Sequence, residues 1–98
     1  MSECCYINNL AEKLKQINEA RARKKEKVIA PSKWSSTLSG LTSNNVKQYW
    51  VTSMLSKSEN RKCISHINAL ILLSAINELM AKYKLPEVKE SELLCGKK

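Results

Sequence analysis

The chain of 98 residues contains no aspartate, one histidine, two glycines and two prolines. Each shortage closes a class of answers. Calcium loops of the EF-hand type are built on Asp, so none is expected. No Asp is available as a nucleophile or base either. So few turn residues cannot supply the reversals of a many-stranded sandwich or barrel, and they suit a few long helices instead. There is no Gly-rich phosphate loop. Cys63 and His66 would be the nucleophile and base of a catalytic pair, but nothing supplies an orienting group or an oxyanion hole. We therefore expect no catalytic residues, no cofactor and no enzyme.

Long apolar runs are also missing. The longest strictly apolar run is Ala69 to Leu73, far too short to cross a bilayer, so no membrane is expected as a partner. The opening "MSECCYINNL" has no basic region leading into an apolar core and does not read as a secretory signal. The expected location is cytoplasmic, or nuclear in a eukaryote. In a reducing cytosol Cys4, Cys5, Cys63 and Cys95 should then be thiols. Cys63 and His66 fall one helical turn apart, and Cys4 and Cys5 would complete a four-ligand zinc set. Adjacent cysteines seldom both hold one ion and no C-x-x-C is present, so no metal is assigned. Cys4, Cys63 and Cys95 read better as small buried hydrophobes.

The residues that are present describe a globular chain, 43% hydrophobic and 27% charged. Its length fits one domain, 1–98, because two independent cores would leave each half too small to fold readily. The pattern predicts an all-α fold: a compact array of four to five helices around a central buried helix at about 60–84. In that central segment Ile64, Ile67, Ile71 and Ala75 make one apolar face and Leu70, Leu73, Ile76, Met80 and Tyr83 another. A first helix is expected over 3–29, ended by Pro31. Its Ile7, Leu10, Leu14 and Ile17 form an a/d stripe. That stripe is a candidate partner-binding face, for a partner helix or for a second copy in a homodimer. Residues 30–44 read as a Ser/Thr-rich connection with one helical turn, pinned by Trp34. A middle helix is expected at about 44–56 and a short terminal helix after Pro86. No internal repeat stands out.

The net charge is +8, which points to an anionic partner, either nucleic acid or an acidic protein surface. Five of the seven residues from Arg21 to Lys27 are basic. A helix C-terminus attracts cations through its dipole, which explains the run without a ligand. The distribution argues for more: residues 1–63 carry twelve basic and five acidic groups, whereas 64–98 carry five and four. A charge that served only solubility would be spread evenly. Arg21, Arg23, Lys24, Lys25, Lys27, Lys33 and Lys47 are therefore candidate phosphate contacts, with Arg61 and Lys62 able to converge on them.

A partial helix-turn-helix pattern lies beside this group. Ser36-xxx-Gly40 fits the turn, and Leu41, Val46 and Tyr49 fit the anchors. Asn44, Asn45 and Gln48 would then lie near base edges. Ser35 and Ser39 stand where that motif needs apolar residues, so a helix packed by Val46, Tyr49 and Trp50 is the stronger reading. The function expected is a nucleic-acid-binding accessory or regulatory factor. The alternative is an interaction module, an adaptor or inhibitor docking on a larger protein or nucleoprotein machine, with Trp34, Tyr49 and Trp50 as the hot-spot residue types.

Overall fold

A computed structural model describes residues 4–55 and 63–93. Within them are five helices and one two-residue strand pair: β1 (Cys4–Cys5), α1 (Leu10–Arg23), α2 (Pro31–Leu41), α3 (Gln48–Leu55), β2 (Ile64–Ser65), α4 (His66–Lys82) and α5 (Glu90–Leu93). The all-α class is as the composition requires. Among the described residues, no helix is long and apolar enough to cross a membrane. Arg61, Lys62 and Cys95 lie outside the described residues.

α1 is shorter than its periodicity predicts, for a reason at each end. Cys4 and Cys5 pair antiparallel with Ser65 and Ile64, which holds the start of the chain extended. Asn9 then adopts φ 60°, a left-handed conformation Asn tolerates, so the helix begins at Leu10. At the far end Lys25 takes φ 62°. The Glu26 N–H donates to the Arg21 carbonyl at 2.8 Å and the Lys25 N–H to Ala22 at 3.0 Å. This is a complete Schellman stop, with Lys where Gly is usual.

α2 is a full helix of 11 residues where one turn was expected. Pro31 sits at its first position, with φ already suited to a helix. The serines that looked like loop formers bond back onto the helix's own backbone: the Ser35 hydroxyl donates to the Ser32 carbonyl and Ser36 to Lys33. Trp34 and Leu38, four apart, are buried. Thr42 ends the helix, donating to Leu38 and accepting from the Val46 N–H.

α4 begins at Ser65, whose hydroxyl accepts from the Asn68 N–H. It buries Ala69, Leu72, Ala75, Ile76 and Met80 but leaves Ile67 and Leu70 in solvent. Both apolar faces were expected to be covered, but each is split: Ile64 and Ala75 of the first and Ile76, Met80 and Tyr83 of the second are buried, while Ile67 and Leu70 are not. The core joins Leu10, Leu14 and Ile17 of α1, Trp34 and Leu38 of α2, Val51 and Met54 of α3, and Leu72, Ile76 and Met80 of α4.

The structure also corrects the reading that the chain has no repeat. An offset of 59 positions carries residues 4–34 onto residues 63–93, the first and second halves of the repeat. Cys4, Asn9, Leu14, Ile17, Asn18, Glu19, Ala22, Lys25 and Ser32 recur as Cys63, Asn68, Leu73, Ile76, Asn77, Glu78, Ala81, Lys84 and Ser91. The geometry repeats with them. Lys84 takes φ 57°, the Leu85 N–H donates to Met80 at 2.8 Å and the Lys84 N–H to Ala81 at 3.1 Å, the same stop as at Lys25. Asn18 clamps the backbone of Ile29 with two bonds of 2.9 Å. Asn77 clamps Val88 the same way, at 3.1 and 2.7 Å. α2 and α5 begin at equivalent residues, Pro31 and Glu90. The bridge Cys5↔Ile64 joins equivalent positions, so the two halves meet there about a local two-fold.

Candidate functional site

The two repeated stops meet at Tyr83. This residue occupies the C-cap of α4, and its equivalent in the first half is Lys24, the C-cap of α1. The Lys24 ammonium lies 5.2 Å from the Tyr83 ring centroid and that of Lys82 lies 5.6 Å from it, so one ring makes cation–π contacts with a lysine from each half. The Tyr83 hydroxyl donates to Glu26 Oε1 at 3.1 Å and accepts from Arg21 Nη1 at 2.8 Å. Tyr83 itself is buried. A buried aromatic with a satisfied hydroxyl thus ties the end of α1 to the end of α4.

Around this pivot the cations sort into two kinds. Arg21 is occupied. Besides Tyr83, its Nε donates to the Lys27 carbonyl at 2.8 Å and its Nη1 lies 3.6 Å from Glu26. It holds the α1–α2 link in place. Arg23, Lys24, Lys25 and Lys27 are exposed, and Lys82 and Lys84 arrive from the second half. Lys33, exposed on the first turn of α2, shares a shallow hollow of about 400 Å³ with Arg21, Lys27 and Thr37. The charge asymmetry read along the chain therefore becomes a local feature. The second half is nearly neutral in sum, yet it places Lys82 and Lys84 beside the basic run. Sequence reasoning missed these two lysines; the repeated helix stop was the signal that would have found them.

The other predicted contacts belong to the α2–α3 turn. Asn44 accepts from the Ser39 hydroxyl at 3.1 Å and Asn45 donates to the Thr42 carbonyl at 2.8 Å. Both amides serve the turn that contains them. Lys47 and Gln48 are exposed at the start of α3. The helix-turn-helix reading fails on geometry. Gly40 lies inside α2 with no positive φ, and Ser43 and Asn44 take the left-handed positions instead. Of the three expected anchors Val46 is buried, while Leu41 and Tyr49 are exposed.

The partner-binding stripe is also reassigned. Ile7, Leu10, Leu14 and Ile17 are all buried in the protein's own core. A stripe so placed is unavailable to a second copy unless the fold opens. A different apolar groove, of about 520 Å³, runs along α1 between Val28, Trp34 and Leu55. Cys63 is disulfide-bonded, not the thiol expected, so its sulfur is not a metal ligand. His66 Nε2 lies 3.1 Å from Glu90 Oε1. Among the described residues no group of three or more metal-ligating side chains occurs.

Comparison with protein-family models, with curated proteins and with solved structures finds no match for this chain.

Proposed function

We propose that the chain is a non-enzymatic nucleic-acid-binding accessory or regulatory factor, and that it contacts phosphates with the end where α1 and α4 stop. The observation that supports this is the convergence of cations from both halves on Tyr83: Lys24 and Lys82 against its ring, Lys25 and Lys84 at equivalent turn positions, and Lys27 and Lys33 alongside. Both helix ends are closed by their own Schellman bonds, which partner the Arg21, Ala22, Met80 and Ala81 carbonyls and lessen their repulsion of an approaching phosphate. Arg21 is left out of the contact set because its guanidinium is used within the fold. A second reading, a module that binds a partner helix, draws on the apolar groove beside Val28 and Leu55.

The test is binding of a labelled random DNA duplex and a random RNA at two salt concentrations. Micromolar binding that falls steeply with salt is expected, because each neutralised phosphate releases counterions. Lys25→Glu with Lys27→Glu and Lys84→Glu, all exposed, should abolish it while the helical signal is kept. Undiminished affinity in that folded triple variant would sink the proposal.

A further inference from the structure

The repeat provides an internal control for the surface of α4. Positions Leu70, Ile71 and Ser74 correspond to Ala11, Glu12 and Lys15 of α1, which are all exposed. The same backbone therefore folds with small or charged residues at these sites. Nothing in the fold requires Leu70, which is 41% exposed. α4 also starts three residues earlier than its counterpart, since Leu10 is equivalent to Ala69. That extra turn adds Ile67, 73% exposed. Ile67, Leu70, Ile71 and Ser74 have the i, i+3, i+4, i+7 spacing of one helical stripe. Residues 67–77 carry no charge at all, whereas α1 carries six charged residues in 14.

We propose that this stripe is a self-association surface, on which two copies pack α4 against α4 in antiparallel fashion about a two-fold axis. Three features select a second copy over another occupant. The stripe offers no charge for recognising nucleic acid or an acidic protein. Two molecules of net charge +8 need an uncharged face to meet on, and this face lies toward the start of α4, away from the lysines at its end. The stripe is also complementary to itself. With the axis between Leu70 and Ile71, Ile67 of one copy faces Ser74 of the other, large against small, and the central leucine and isoleucine interdigitate. One helix face buries less than the roughly 1,200 Å² at which stable interfaces begin, so the dimer is a weak, concentration-dependent one. This inference does not depend on nucleic-acid binding.

The experiment is sedimentation equilibrium of the full chain from low micromolar to near-millimolar concentration. The mass should rise from monomer toward dimer across that range. Ser74→Lys places two like charges into the contact at an exposed position and should weaken the dimer at least tenfold without changing the melting curve. Ile67→Asn with Leu70→Ala, which copies the first half, should do the same. A wild-type chain that stays monomeric throughout overturns the proposal and leaves the face to a different partner. A folded Ser74→Lys variant that dimerises as well as wild type also overturns it, because the contact must then lie elsewhere.

Discussion

Removing the Asn77 amide should cost more than removing that of Asn18, although the two make the same contact. Each side chain accepts from one backbone N–H and donates to the carbonyl of the same residue eleven positions on. A net hydrogen bond contributes about 1 kcal/mol, so the pair contributes about 2. The Ala variant also leaves a backbone N–H and C=O without their partner, and what that costs depends on water. Ile29 is only partly buried, so water can replace the lost amide there. Val88 is 2% exposed, so its peptide group stays largely dry, and an unsatisfied buried group adds about 1 kcal/mol or more. We expect Asn18→Ala to lose about 2 kcal/mol and Asn77→Ala about 3. The second would lower the melting temperature on the order of 10–20 °C for a domain of this size. Urea unfolding with an unchanged m-value is the assay. Asn77→Asp, which keeps the acceptor and loses the donor, should fall between wild type and Asn77→Ala. If both Ala variants lose under 0.5 kcal/mol, the clamps do not hold the links and the reasoning fails. An Asn18→Ala loss that clearly exceeds that of Asn77→Ala would refute the argument from water access.

Three further outcomes follow from single contacts. Lys84→Gly should stabilise by about 0.5–1 kcal/mol in urea unfolding, because relief of a left-handed non-Gly residue outweighs the added chain entropy; a loss instead would mean the Lys side chain contributes at that turn. The hydrogen bond from Lys13, helped by the Lys89 N–H, holds the Glu92 carboxyl below the usual carboxylate range. That contribution is therefore present at neutral pH and lost as pH falls through the depressed value, so wild type should lose more than Glu92→Gln between pH 6 and 3; parallel losses would refute the pairing. Cys63, being disulfide-bonded, should resist alkylation until a reductant is added, as read by peptide mass.

The elements that were legible in the sequence are those whose signal is local. The stripe Leu10, Leu14, Ile17 marks the core face of α1, and Ile76, Met80 and Tyr83 are buried as their spacing predicts, whereas Ala69 and Leu72, equally buried, were in neither expected face. The boundaries were not legible. Asn9, Lys25 and Lys84 take left-handed conformations that residue type alone does not announce. α2 was hidden because serine looks like a loop former until its hydroxyl finds the carbonyl three residues back. The repeat was hidden by the divergence of its two copies. The first is basic and the second nearly neutral, and their identical residues, apart from the Ile-Asn-Glu triplet, are scattered singly along a shared backbone course. For the candidate site, the run from Arg21 to Lys27 was plain, but its completion by Lys82 and Lys84 depends on how two distant helix ends meet. The stripe expected to bind a partner was read correctly as apolar and wrongly as outward, since periodicity identifies a face and not what covers it.

Arg21 tests whether that division of the basic run is right. It lies within the run and by charge alone belongs with its neighbours. By geometry it does not, for its guanidinium bridges the Lys27 carbonyl and the Tyr83 hydroxyl, and its equivalent in the second half is the buried Met80. Arg21→Met therefore places at this position a residue the repeat already accepts. Two hydrogen bonds from a charged donor are lost. The side chain is about one-fifth exposed, so solvent screening reduces their worth, and a loss of about 1–3 kcal/mol is expected. Polyanion affinity of the folded fraction should fall no more than one diffuse charge requires, with the salt slope unchanged within error. Lys25→Glu should do the reverse, lowering affinity and shifting the slope by about one while stability holds. If Arg21→Met instead keeps full stability and abolishes binding, Arg21 is a phosphate contact, and the interface extends into the hollow it shares with Lys27 and Lys33.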